Sequence, residues 1–430
     1  MQYPNISRRG FLGLVGAAGM AATMLPGCSA SDPAAAGKTQ IEVVTYKQEA
    51  VDIFSQLQDK FNSTHDDIYL SITCPNDAIT IMKTRFIRNN YPDIIGIGGD
   101  MDFSNFLDAG MLADISDFSG LSQIKPVYLD MLEDLEFVPT EGTFGVPYMA
   151  NAAGIMYNRA LFKEHGWEIP TNWSEFTKLC DKIQSAGILP LYFGFKDTWT
   201  TLAPWNALAI ELAPSDVCQQ VNAGTTTFAE NYREVAEKEY ALLQYAEDGP
   251  FAYGYNDACT AFANGESAMY TIGSYAVPQI LSVNPDMDLD SFVMPGVDKA
   301  EDRVLNSGVD LQFCVTEACP NKEAAYEVLS FLLEHDNMQT YIDAQNAVPC
   351  SEGTFELPSM LDGMADFIEE GNMADFQDHH YPTEMAVSAQ IQTLIIDQDV
   401  DAFLAKFDSD WTRYNRDIIE KVQKYYASQG

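Results

Sequence analysis

Ile41-Glu42-Val43-Val44-Thr45-Tyr46 alternates like a strand, and Val51, Phe54, Leu57 and Phe61 then recur at the spacing of one helical face. The pattern goes on: Ile68, Leu70 and Ile72 alternate, Ile79, Met82 and Phe86 keep helical spacing, and Asp93-Ile94-Ile95-Gly96-Ile97 is a short apolar strand. Strands that alternate with helices pair in parallel through right-handed crossovers, which predicts an α/β first lobe built on an open, doubly wound sheet. Ligands of such sheets sit outside the carboxyl ends of the strands, where neighbouring loops diverge. That rule selects Tyr46-Lys47-Gln48-Glu49, Asn76-Asp77 and Gly98-Gly99-Asp100-Met101. Gln48, Glu49 and Asp100 are the polar candidates among them. Asp100 either faces a cleft or caps the next helix, and Glu49 has a competing role at a helix N-terminus.

A second α/β region begins near residue 150. Gly154-Ile155-Met156-Tyr157-Asn158 reads as a strand, Arg159 to His165 as a short helix, and Ser174 to Ala186 as a longer one with Phe176, Leu179 and Ile183 on one face. Asp257 to Asn264 is helical and stops at Gly265, Ala268 to Ile272 is a strand, and Gly273-Ser274 opens a helix bearing Tyr275. Lys322 to Leu333 and Asn337 to Asn346 are two further patterned helices.

The 430 residues include 63 Asp and Glu against 24 Lys and Arg, a net charge of −39, with 47% hydrophobic residues. So apolar a chain is globular. Nucleic acid is excluded as a partner, because phosphate-backbone affinity needs clustered cations, and so is electrostatic adhesion to anionic lipid. Attachment to a membrane has to be covalent or by insertion. Ser7-Arg8-Arg9-Gly10-Phe11-Leu12, followed by apolar and small residues to Leu25, is similar to a twin-arginine export signal, too short to span a bilayer comfortably. Leu25-Pro26-Gly27-Cys28 resembles a bacterial lipobox, which implies a signal peptide over residues 1–27, a lipidated Cys28, and a small-residue tether to residue 39. The remaining seven cysteines show no CxxC spacing, so neither a zinc site nor a disulfide scaffold is indicated, although a Cys314–Cys319 bridge is conceivable.

Four blocks, taken together and in order, carry a family resemblance. Val146-Pro147-Tyr148 with Gly154 to Phe176, Pro92-Asp93-Ile94-Ile95, Ala261-Phe262-Ala263-Asn264-Gly265-Glu266-Ser267-Ala268-Met269 with Gly273-Ser274-Tyr275, and Ala324 to Pro349 resemble extracellular solute-binding proteins of ABC importers, of the maltose-binding-protein-like sugar class. The resemblance covers nearly the whole chain after the tether. It implies a periplasmic-binding-protein-like fold with two lobes, residues 40–149 plus 296–345 and residues 150–295 plus 346–430, joined by three hinge crossings. The crossings are expected near Tyr148–Asn151, near Phe292–Gly296 and within Glu334–Pro349. It also implies a carbohydrate ligand in the interlobe cleft, an ABC permease as partner, a lipid-anchored location outside the cytoplasmic membrane, no cofactor and no catalysis.

A sugar offers apolar C–H faces to aromatic rings and hydroxyls to paired donors and acceptors. Tyr275, with Ser274, matches the family's Gly-Ser-aromatic block and is the aromatic candidate; its other reading is a core tyrosine. Trp199 and Trp205, in the loop-rich Lys196 to Trp205, are candidates for the second-lobe wall, one of them being structural. Asp310, after Ser307-Gly308, matches the family's approach to the ligand. Tyr148 and Asn151 lie at the first crossing, where hinge packing competes with a place on the cleft floor. A competing class is a secreted glycosidase using two carboxylates, and a third reading keeps the fold with a cationic or peptide ligand. His379-His380 with Glu384 is a formal metal set, but a solvated turn before Pro382 is the plainer expectation. No HExxH, GxSxG or P-loop pattern occurs.

Overall fold

The computed structural model describes residues 35–429. Cys28, the export-signal residues and most of the tether lie outside them. Ten strands are present among the described residues: β1 Thr39–Thr45, β2 Ile68–Thr73, β3 Ile94–Ile97, β4 Val146–Asn158, β5 Leu189–Tyr192, β6 Ser267–Gly273, β7 Leu289–Phe292, β8 Leu305–Val315, β9 Val348–Pro349 and β10 Met373–Ala374. Their order is β2-β1-β3-β8-β4-β6-β5, with β10 on β8 and with β7 and β9 on β4.

As the alternation predicts, β2, β1 and β3 pair in parallel, and so do β5 and β6. The helix Val51–Thr64 packs on β2 and buries Ile53, Phe54, Leu57 and Phe61, whereas Val51, expected on the same stripe, is exposed in the first turn. Pairing turns antiparallel where β8 meets β3 and β4, and where β4 meets β6. The cause is that β4 and β8 are long and run in opposite directions between the lobes. Val146 of β4 sits beside Phe313 in the first lobe, while Ala153 sits beside Asn306 and Gly273 at the second.

The second crossing therefore runs along β8, beyond the expected Phe292–Gly296. Phe292 belongs to β7 and pairs with Ile155, inside the second lobe. The third passes Val348–Pro349, which pair with Ala150 and Met149. One apolar cluster runs from Phe54, Ile95 and Phe313 through the crossings to Tyr270 and Ile280. A second, around Trp205, Tyr232, Phe407 and Trp411, fills the far lobe. All seven described cysteines are free thiols, five of them buried, so no Cys314–Cys319 bridge forms.

Candidate functional site

The carboxyl ends of β1 and β3 and the middle of β4 and β8 converge on Asp310. Lys47 Nζ lies 2.6 Å from Asp310 Oδ2 and 2.9 Å from Glu49 Oε1. Asn151 Nδ2 donates to Asp310 Oδ1 at 2.9 Å, and the Tyr46 hydroxyl donates to the Asp310 backbone carbonyl. Lys47 is almost fully buried, so its charge is tolerable only because these carboxylates face it. Gly99 N–H donates to the Val309 carbonyl at 2.8 Å, which brings the β3 loop against β8. Asp100 follows, and of the two roles expected for it the structure shows the helix cap. It caps the helix Met101–Asp108 by accepting from the Asp102 N–H at 2.8 Å, and it is close enough to His379 for their charges to interact.

A second group of expected site residues is aromatic. Trp199, 41% exposed, has its ring centroid 5.0 Å from Tyr255 and 6.2 Å from Tyr275. Beside these rings lies the short helical turn Gln377–His380. Asp378 accepts from Asn206 Nδ2 at 2.8 Å, and Asp375 Oδ1 lies 2.8 Å from His379 Nδ1. Burial disfavours charge on His379, yet Asp375, Asp378 and Asp100 together push its pKa up to about 10. Its imidazolium is a fixed donor at neutral pH. Gly308 is required here: a Cβ would collide with Asp375 Oδ1 and come within 3.1 Å of His379 Cε1.

The structure thus brings Asp310, Asn151 and Glu49 together around Lys47, with Asp100 in the adjoining loop, and it brings Trp199 and Tyr275 together in a separate aromatic group. Other expected site residues lie elsewhere. Trp205 is fully buried, packs on Tyr232 and Phe403 at 5.4 Å and donates from Nε1 to the Tyr381 hydroxyl, so it belongs to the second-lobe core. Tyr148 is equally buried, its ring 5.3 Å from those of Phe313 and Tyr341. Ser274 is buried and accepts from the Ala152 N–H at 3.4 Å, tying β4 to the turn that carries Tyr275. Gln48 is exposed at the start of its helical turn. The segment before Pro382 is not a solvated turn, since His380 and Pro382 are buried and His379 is paired with Asp375. Among the described residues no His, Cys, Asp and Glu group can hold a metal ion.

Reading the sequence missed Tyr255, Asn206, Asp378 and the role of His379. The paired histidines within an acidic stretch were the available signal for the last two.

Among the described residues no helix is long and apolar enough to cross a membrane. The chain is 26% identical over 361 residues to the multiple sugar-binding protein of Streptococcus mutans, covering 80% of this chain and 83% of that one. The apo form of RafE from Streptococcus pneumoniae superposes with a TM-score of 0.77 at 20% identity, covering 88% of this chain and 98% of that one. RafE in complex with raffinose gives a TM-score of 0.72 at 21% identity, covering 88% of this chain and all of the other. The model of the bacterial extracellular solute-binding protein family matches residues 47–339, and the chain belongs to that family.

Proposed function

We propose that this protein is the sugar-capturing component of an ABC importer, holding a neutral oligosaccharide between its lobes and presenting it to the permease. One observation carries the reading: a wall of three aromatic rings, Trp199, Tyr255 and Tyr275, stands beside hydrogen-bonding groups already fixed in place. Rings accept the C–H faces of a pyranose, while Asp100, Asn151 and the His379 imidazolium meet hydroxyls. Groups held before the ligand arrives lose little freedom on binding. The raffinose bound by RafE and the sugar named for the streptococcal relative support the same class.

Capture without turnover is the companion proposal. The cleft carboxylates are engaged: Asp310 by Lys47 and Asn151, Asp378 by Asn206, Asp100 by the helix it caps. None is left poised as a nucleophile opposite a second acid. The two lobes, joined along β4, along β8 and at Val348–Pro349, close over the ligand because it touches both, and the permease reads the closed form. Cys28 carries the lipid that keeps the protein at the outer face of the membrane; a Cys28→Ala variant is then exported but found in the soluble fraction.

Calorimetry with raffinose, stachyose and chito-oligosaccharides tests the proposal. One of them binds with 1:1 stoichiometry and is recovered intact. Absence of binding across the carbohydrate panel, or steady release of hydrolysis products, overturns it.

A further inference from the structure

A second compartment flanks the cleft, a groove of about 280 Å³ between the lobes. It adjoins the site above, because Met101 and His380 line it and are chain neighbours of Asp100 and His379. Contacts between the lobes border it: Gln219 Nε2 donates to the Asp134 carbonyl at 2.6 Å, and Lys421 pairs with Asp108. That volume is near the lower end for small-molecule sites.

Its floor is polar and deeply buried. Asn415 is only 2% exposed and lines the groove, and among the described residues its side-chain amide makes no hydrogen bond. His380, 9% exposed, also lines it, its Nε2 being 3.6 Å from Asp375 Oδ2, beyond a hydrogen bond. Asp375 Oδ2, behind His380 and not itself lining the groove, is buried and makes no hydrogen bond among the described residues. A packed interior seldom leaves such groups unmatched, and a ligand with its own donors and acceptors would match them.

The rim is anionic. Glu133, Asp134, Glu136 and Asp216 line the groove and no lysine or arginine does. Burial, with Asp130 and Asp216 adding their charges, pushes the Asp134 carboxyl up to about 6. Phe137 and Tyr426 supply aromatic surface at the same mouth.

We infer that this groove is a subsite for an amino-sugar unit, whose ammonium group faces the carboxylate rim while its hydroxyls meet Asn415 and His380. The inference rests on the sugar-binding reading and narrows it to oligosaccharides with a cationic residue at one end. A neutral hexose would satisfy the floor but bring no positive charge to the four rim carboxylates, of which Glu136 and Asp216 have only the neutral donors Thr140 N–H and Gln220 Nε2. A polyamine would satisfy the rim but leave the floor amide without a partner.

The test is calorimetry at low salt with the trisaccharide of glucosamine and with its fully N-acetylated counterpart, on the parent protein, Asn415→Leu, and the double variant Glu136→Gln/Asp216→Asn. The amino form is expected to bind at least tenfold more tightly than the acetylated one. That preference is lost in the double variant, and Asn415→Leu weakens the amino form at least tenfold. The variant Asp52→Asn, remote from the groove, leaves both affinities unchanged. Equal binding of the two trisaccharides overturns the inference. So does a preference that survives in the double variant, which would trace it to the overall charge of the protein. The two rim residues are exposed or half-exposed, so the double variant remains informative where Asn415→Leu does not fold. Raffinose and stachyose titrated into the same samples report on the main cleft separately, so failure of the broader sugar reading shows there.

Discussion

Nζ of Lys47 lies 2.6 Å from Oδ2 of Asp310, a nearly buried ion pair that fastens the carboxyl end of β1 to the strand carrying the chain back between the lobes. A buried cation without its partner is costly, while an apolar pair of similar size is often neutral. Asp310→Ala is therefore expected to destabilise the protein by about 3 kcal/mol, the surviving Glu49 contact offsetting part of the loss. The double variant Lys47→Met/Asp310→Leu should recover most of it in urea unfolding. A double variant no more stable than Asp310→Ala would show that the pair is not what holds this junction.

Asp100 gives a pH signature. Burial and the nearby charge of Asp102 push its carboxyl up to about 6, against partial relief from His379. An unfolded aspartate titrates near ~3.9, so the folded chain holds this proton more tightly. The stabilisation is fully present below that pH and is lost as pH rises through 6. Asn keeps the helix cap without the charge. Asp100→Asn should thus gain stability over the parent, and the gain at pH 7.5 should exceed that at pH 4.5 by about 1–2 kcal/mol. Denaturant titrations at the two pH values measure it; a gain independent of pH excludes charge as the cause.

Glu239 is the same argument without a ligand. Both its carboxyl oxygens are buried and unpaired, and burial raises its pKa well above the ordinary value. It folds neutral, so its contribution is complete below the unfolded value near ~4.3 and declines as pH rises. Glu239→Leu should stabilise the protein at pH 8, with the advantage shrinking as the pH falls towards 5. A stability difference that stays constant over that range is the contrary result.

Much of this fold is legible in short stretches. The apolar runs at Ile41–Thr45, Ile68–Ile72 and Ile94–Ile97 become parallel strands because their burial pattern is local and periodic. The second crossing lies beyond the expected segment because Leu305, the first residue of β8, is followed by Asn306-Ser307-Gly308, small and polar residues that read as a loop. Only pairing with β4, some 150 residues earlier, makes them a strand. The site divides in the same way. Asp100 and Asp310 follow from strand ends, and Tyr275 from its Gly-Ser turn. His379 owes its place to Asp375, Asp378 and the bare backbone of Gly308, and no periodicity announces a contact of that kind.

The two tryptophans Trp199 and Trp205, six residues apart, separate binding from folding. Trp199 is 41% exposed in the aromatic wall, whereas Trp205 is fully buried among Tyr232, Phe403 and Phe407. Removing a ring that stacks on a sugar face should weaken binding by roughly 1–3 kcal/mol, a factor of about 5 to 150, with little effect on the fold. That is the expectation for Trp199→Ala, and for Tyr275→Ala beside it. Trp205→Ala should instead cost about 3–5 kcal/mol of stability, because it leaves a cavity among rings that cannot collapse into it. The protein that remains folded should bind sugar as before. Melting and calorimetry on the same three variants decide the matter. If Trp199→Ala lowers the melting point while the affinity stays at the parent value, the aromatic wall is a packing feature and the ligand lies elsewhere in the cleft.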